Sequence, residues 1–430
     1  MKLIFSFLLT VFLLAPFLQA AETAELIKQL GSENESERAA ALMELRKIGQ
    51  PAEAALRAAL KDGPPRQEFL ARRLLGEMLL AHSNLRPLDL SALAPLGEEK
   101  AAGKAGNPFI LVDSDKKIIV LDGSFILERG LLECLVVSRV PNARTWETVV
   151  SVRALPRDIC MALLKCNYTF ADEITDDNRV KLPKEAGVMV SVEFLWEEPR
   201  ADMEPAPSLV SVCKAILQKH NLLAEGKASG RRRELLQFDL DGDVALLRDL
   251  LGSLPEADPA ASKILISMQE SLANENLSGD ENARAALAPL LAQYLKLKDV
   301  SLQAAPPPEK KLIRIPIEFC AWNTATERTM KRVPFAFTGS VFEKNSETGR
   351  QVLAADYEGT VIALRWEKVA LLNTILDTRN VNPYRDAGYV VNQQIVPWRR
   401  TRCRLVFEPW TEGNLSLEEL KDMEEPKSGK

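Results

Sequence analysis

Two proline-rich stretches, Glu197–Ser208 (EEPRADMEPAPS) and 304–311 (AAPPPEKK), stand on either side of a long segment with helical spacing. Before the first, Val188, Val190, Val192, Phe194 and Trp196 share one face of a period-2 pattern, with Ser191 and Glu193 on the other. After the second, Ile313, Ile315, Ile317 and Phe319 resume that alternation. Between them, Val244 to Leu251, Ala260 to Leu272 and Ala283 to Leu297 read as helices. A strand pattern broken and resumed around a helical block marks an insertion, and insertions survive best at exposed turns. The flanking strands are therefore expected to be neighbours in a hairpin. The fold class that follows is α+β: a β-rich mixed domain over 108–200 and 312–410, interrupted by an all-helical insertion over 201–311 with proline-rich flanks.

The rest of the chain falls into blocks around this frame. Over 22–85, Ala41, Leu45 and Ile48 keep helical spacing, Gly49-Gln50-Pro51 stops and restarts it, and Ala71, Leu75 and Met78 repeat it thirty residues on. This segment, SERAAALMELRKIGQPAEAALRAAL above all, resembles short HEAT-type helical repeats. Two units bury little surface alone and are expected to pack on something else. Residues 86–107, rich in alanine, glycine and proline, read as a linker. From Pro108 the period becomes that of strands: FILVD, KIIVLD and SFILE, with Ser114-Asp115 and Asp122-Gly123 read as tight turns. LLECLVV, apolar on both faces, reads as a central strand, and WETVVSV as the next. Helices are expected from Pro156 to Cys166 and near Val369 to Leu376, and 411–430 is a charged tail.

The first twenty residues have the parts of an export signal. Lys2 gives a positive start, Leu3 to Leu18 is mostly apolar, and Gln19-Ala20-Ala21 offers small residues for cleavage. The apolar run is shorter than the ~20 residues of a spanning helix, so no membrane span is expected after cleavage. The expected location is exported, periplasmic or extracellular. Formal net charge is −5, and −6 once Lys2 leaves with the signal, which argues against a nucleic-acid partner. With only two histidines, His82 and His220, histidine-activated nucleophiles and histidine-rich metal sites are excluded. The six cysteines, Cys134, Cys160, Cys166, Cys213, Cys320 and Cys403, form no C-x-x-C pair and sit among apolar neighbours. Buried thiols are expected, with one long-range disulfide still open. No metal and no cofactor is expected.

ILVDSDKKIIVLDG, GLLECLVVSRVPNARTWETVVSVRALPRDICMALLKC and FAFTGSVF…AADYEGTVIAL together resemble the YdjY domain of exported bacterial proteins. The resemblance covers roughly 108–200 and 312–410. It implies a location and no established activity. Two positions depart from the family's pattern: Trp146 and Cys160 stand where histidines are common. If those histidines bind metal or move protons in the family, the resemblance implies that this chain lacks that capacity.

The candidate catalytic residues are Glu133, inside an apolar strand, Glu147 in the next strand, and Asp356 and Ser340 in the AADYEGT and FTGS motifs. Convergence of Glu133, Glu147 and Asp356 would make a hard-cation site or an acid/base pair. Arginine partners such as Arg139, Arg144 or Arg332 would make them structural ion pairs instead. Arg400, Arg402 and Arg404 share one strand face, opposite Thr401, Cys403 and Leu405. That stripe either binds an anionic polymer or pairs with acids such as Glu193 or Glu318. Asp239-x-Asp241-Gly242-Asp243 lacks the glycine and glutamate positions of a calcium loop and is rejected as one. The function read from these features is a non-catalytic extracytoplasmic binding or scaffold protein with a protein or cell-envelope partner. The alternative is a carboxylate-based hydrolase or metal-dependent enzyme.

Overall fold

The computed structural model describes residues 20–81, 85–97, 106–171, 182, 184–203, 207–252, 259–272, 281–300, 310–324, 326–344, 349–376 and 388–411. The expected signal (apart from Ala20), His82 and most of the tail lie outside them. The chain divides into two compact units.

The first unit joins the N-terminal helices to the segment Glu197–Ser208. Its helices are α1 (residues 20–29), α2 (Glu35–Ile48), α3 (Glu53–Asp62) and α4 (Pro65–Ala81). Asn34 caps α2 by accepting the Ser36 N–H at 2.9 Å, and Gly49, at φ 65°, ends it. Leu42, Leu45, Leu56, Leu70 and Leu74 form the buried stripe. Three arginines of α2 and α4 hold the proline-rich segment by its carbonyls. Arg38 donates to Ala201 at 2.7 Å, Arg46 to Pro199 at 2.7 Å and Arg73 to Glu197 at 3.0 Å. The first proline-rich stretch thus packs with the N-terminal helices rather than with the insertion it precedes.

The second unit is built on β1 (Ala94–Leu96), β2 (Asn107–Asp113), β3 (Ile118–Phe125), β4 (Cys134–Ser138), β5 (Thr148–Val152), α5 (Pro156–Lys165) and β6 (Gly187–Trp196). The insertion follows as α6 (Leu209–Ala224), α7 (Gly230–Gly252), α8 (Pro259–Leu272) and α9 (Glu281–Leu297). The chain returns as β7 (Lys311–Pro316), β8 (Ala321–Asn323), β9 (Arg328–Thr329), β10 (Phe335–Phe337), β11 (Phe342–Lys344) and β12 (Gln351–Leu353). Then come α10 (Ala354–Glu358), β13 (Thr360–Ala363), β14 (Leu372–Thr374), β15 (Tyr389–Val391) and β16 (Arg402–Pro409).

The main sheet closes on itself in the order β3-β16-β6-β10-β14-β13-β4-β5 and back to β3, a barrel-like ring. One edge of β3 pairs with β2 along its first half and with β5 along its second. Strands β4 and β5 are buried at every residue, as valine-rich strands covered on both faces should be. Phe125, Phe194, Phe335, Phe337 and Phe407 are fully buried in this unit. The fold is α+β, as the segregation of helical and strand patterns required.

Strands β6 and β7 pair antiparallel from Ser191↔Pro316 to Trp196↔Lys311, so the helical block does enter and leave at hairpin neighbours. Its helices have a core of their own, including Ile216, Leu240, Leu247, Met268 and Leu291. Some expectations fail: Ile317 and Phe319, read as continuing the strand alternation, lie in a 3-10 turn after β7 has ended at Pro316. Asp122-Gly123 is not a turn: β3 runs through it, and a Cβ on Gly123 would stand 2.8 Å from the Ser151 carbonyl oxygen, so glycine permits the close approach of β5. The helix expected near Val369 to Leu376 is strand β14, parallel to β13 in the ring. A short run buried on all sides has no period to separate helix from strand.

Candidate functional site

Glu133 immediately precedes β4 and Glu147 closes the 3-10 turn Thr145–Glu147 before β5, not the strand where it was expected. The parallel pairing of β4 and β5 brings the two acids together, and the Glu133 N–H donates to the Glu147 carbonyl at 3.0 Å. The antiparallel partner of β4, β13, returns Arg365 and Glu367 to the same place. Arg144 then reaches into the group. It donates to Glu133 Oε2 at 3.0 Å, to both oxygens of Glu367, and to Thr360 Oγ1 at 3.2 Å, and it lies 3.8 Å from Glu147. Arg365 donates to the same Glu133 oxygen at 2.9 Å. Glu367 is fixed in turn by Asn373, which accepts its N–H at 2.7 Å and donates to its carbonyl at 3.1 Å.

Three carboxylates therefore share two guanidiniums. Burial and the adjacent Glu133 push the Glu147 carboxyl above its usual range, with Arg144 opposing. Burial works against the Arg144 charge, but Glu367 and its neighbours outweigh it and hold the guanidinium protonated. Among the described residues, no cluster of histidine, cysteine or carboxylate side chains is placed to hold a metal ion.

Asp356 is not part of this group. From α10 its Oδ1 accepts the Arg157 N–H at 2.8 Å, in the first turn of α5, where a carboxylate suits the helix dipole. Ser340, at φ 64°, is a non-glycine residue in the left-handed region. Its hydroxyl donates to the Val369 carbonyl at 2.8 Å and accepts the Ala355 N–H at 3.1 Å, tying this turn to the start of α10. The four candidates thus occupy three places, each in a bonded role. The arginines at Glu133 are Arg144, which the sequence suggested, and Arg365, which it did not. Arg139 instead donates to Ser124 and Ser151, at 2.6 and 3.2 Å.

The arginine stripe faces the insertion. Arg400 donates to Asp249 at 2.6 and 3.1 Å, and Arg402 to Asp241 at 2.7 Å and to Asp122. Pairing is the observed arrangement for these two, but the acids come from α7 and β3 rather than from Glu193 or Glu318. Helix α7 meets the Arg400–Arg402 backbone at Gly242, where an added Cβ would stand at an ordinary contact distance of 3.4 Å from the Arg402 nitrogen. The acids around that glycine are all engaged: Asp241 by Arg402, Asp239 by Lys219 and Lys310 at 2.6 Å each, and Asp243 by Lys219. The motif that hinted at calcium is a docking ridge.

Arg404 is different. In the sheet it stands opposite Asp122 on β3 and Glu193 on β6. Asp122 is turned to Arg402, and the fully buried Glu193 accepts the Leu88 N–H. Among the described residues Arg404 has no hydrogen bond or ion pair, and its guanidinium lies 5.0 Å from the centre of the Phe238 ring. Burial, with Arg402 nearby, lowers its affinity for its proton despite Glu193. It borders a cleft of about 380 Å³ between α7 and the outer face of β2, β3 and β16. The sequence marked the stripe but had no means of singling out this member.

Sequence reasoning also missed the character of Glu318, in the 3-10 turn Ile317–Cys320. It is fully buried; Oε1 accepts the Val333 N–H at 3.0 Å and Oε2 is unpartnered. Burial pushes its pKa up to about 7. The six cysteines are free and buried. No helix of the described residues is long and apolar enough to cross a membrane. No family model, curated protein or solved structure matches the chain.

Proposed function

We propose that this chain is an exported, non-catalytic binding or scaffold protein of the periplasm or cell exterior. Its β-rich unit is a YdjY-like domain, its N-terminal helices act as short HEAT-like repeats, and its partner is a protein or a component of the cell envelope. The observation that carries the reading is the occupation of the candidate acids. Glu133 is tied to Arg144 and Arg365, Glu147 lies 3.8 Å from Arg144, and Asp356 caps a helix elsewhere. A general acid or base must be free to meet its substrate, and these groups are spent on structure.

Native mass spectrometry of the mature protein, purified from its own envelope fraction, tests the proposal. A co-purifying protein or small ligand, released unchanged, is the expected result. A stoichiometric metal bound at Glu133 and Glu147, or turnover abolished by Glu147→Gln, would overturn it. The second result would favour a carboxylate-based hydrolase or metal-dependent enzyme, a reading supported by the raised pKa of Glu147 beside Glu133.

A further inference from the structure

We propose that the cleft beneath α7 binds a small monocarboxylate with an apolar body, its carboxylate paired with Arg404. The inference rests on the binding-protein reading and names a ligand class for it.

The charges of the cleft point to a single negative group. Its cations are Arg153, Arg402 and Arg404, and its acids Asp122, Glu234 and Asp241. Arg402 is consumed by Asp122 and Asp241, and Arg153 lies 3.6 Å from Asp122 while stacking on Phe109 at 4.3 Å. Among the described residues Arg404 is the cleft cation with no hydrogen bond or ion pair to an acid, for Glu193 and Glu234 act on it only from beyond ion-pair distance. A half-buried guanidinium without a hydrogen-bonded anion is costly, and the Phe238 face compensates it weakly compared with a carboxylate. A dianion such as a phosphate ester would bring a second charge close to Asp122 and Glu234 with no cation left to meet it. One carboxylate matches the one cation of the cleft that, among the described residues, has no ion-paired acid.

The remaining lining determines the body of the ligand. Leu90, Pro108, Phe109, Leu111, Val120 and Phe238 supply aliphatic and aromatic surface. Around 380 Å³ lies at the small end of ligand pockets, which run from roughly 300 to 1,000 Å³. A chain of medium length or a single aromatic ring suits that space. The cleft exists only because the insertion is docked: α7 forms the roof, and the Arg400–Asp249 and Arg402–Asp241 pairs hold it above the sheet.

The test is isothermal titration of the full mature chain with octanoate, octan-1-ol and inorganic phosphate, repeated with Arg404→Met and Leu111→Trp. Arg404→Met keeps the apolar stem and removes the charge, while Leu111→Trp fills the cleft and leaves Arg404 in place. Octanoate should bind at one site, at least tenfold more tightly than octan-1-ol or phosphate, and each variant should weaken it at least tenfold. Each variant is first matched to wild type by its circular dichroism and urea midpoint. If Arg404→Met fails to fold, Leu111→Trp and the wild-type ranking decide alone. Failure of octanoate to bind, equal binding of phosphate, or binding unchanged in a folded variant would overturn the proposal. Recovery of octanoate chemically altered would instead overturn the binding-protein reading, so the two failures are distinguishable.

Discussion

Replacing Glu318 with glutamine should change the stability of the protein in a strongly pH-dependent way. The acid is fully buried, one oxygen holds the Val333 N–H, and the other has no partner. Its pKa stands at about 7 in the folded chain against an ordinary 4.5. The folded state therefore binds more protons than the unfolded state between those values. Stability from this group is fully present below pH 4.5 and is lost as pH rises through 7. At ~1.36 kcal/mol per unit, the loss between pH 5 and pH 8 is about 2.5 kcal/mol. Glutamine mimics the protonated acid: its carbonyl can still accept the Val333 N–H, and it has no charge to desolvate. Urea unfolding of both proteins at pH 5, 6, 7 and 8 isolates the effect, because every other titrating group is common to both. Glu318→Gln should lie within ~1 kcal/mol of wild type at pH 5 and exceed it by about 3 kcal/mol at pH 8, with unchanged m. A stability difference that stays constant from pH 5 to pH 8 would refute the reasoning, since burial would then not be raising the acid's pKa.

Removing Arg144 as Arg144→Met leaves Glu133, Glu147 and Glu367 facing one another, with Arg365 the cation that opposes them among the described residues. A loss of about 3–5 kcal/mol at pH 7 is expected, partly recovered at acid pH as Glu147, already raised by burial and Glu133, takes up its proton, and urea melts at pH 7 and in mild acid will show it. Gly242→Ala should be tolerated, because the new Cβ meets β16 at ordinary contact distance, whereas Gly242→Leu should lift α7 and cost about 1–3 kcal/mol by overpacking. Limited proteolysis at the ends of the insertion distinguishes these two variants. Arg38→Ala frees the Ala201, Ser32 and Glu33 carbonyls; hydrogen exchange should rise across 197–203, at a cost of about 1–3 kcal/mol. Burial pushes Cys134, Cys213, Cys320 and Cys403 above the usual thiol range. A thiol-reactive chromogenic disulfide should label none of the six cysteines rapidly in the native protein and all six in denaturant; four in denaturant would reveal a disulfide.

Much of the architecture follows from local rules that one chain segment can state alone. Alternation at Val188 to Trp196 and at Ile313 and Ile315, with prolines between, is enough to place β6 beside β7 and the helices outside the sheet, although the pattern read on through Ile317 and Phe319 overran the strand. The Gly49-Gln50-Pro51 stop, the strand LLECLVV and the helix from Pro156 are legible for the same reason: period, capping and backbone constraints act over a few residues. The same logic fails where burial removes the period, as at β14, or where a glycine serves a distant neighbour. Asp122-Gly123 looks like a turn until β5 is found against it, and Gly242 looks like a flaw in a helix until β16 is found beneath it.

The charged residues show the limit most clearly. Sequence alone determined that Glu133, Glu147 and the stripe at 400–404 carry charge in unusual apolar company, and that such charges need partners. Which partner each one takes depends on ring closure and on the docking of α7, and both involve residues more than a hundred positions apart. Tertiary structure therefore decided that Glu133 is held by Arg144 and Arg365, that Arg402 is shared between β3 and the insertion, and that Arg404 borders an open cleft with no ion-paired acid among the described residues. The physical reason is range: backbone periodicity and capping act between near neighbours, whereas an ion pair is satisfied by whatever charge the fold brings within a few ångströms.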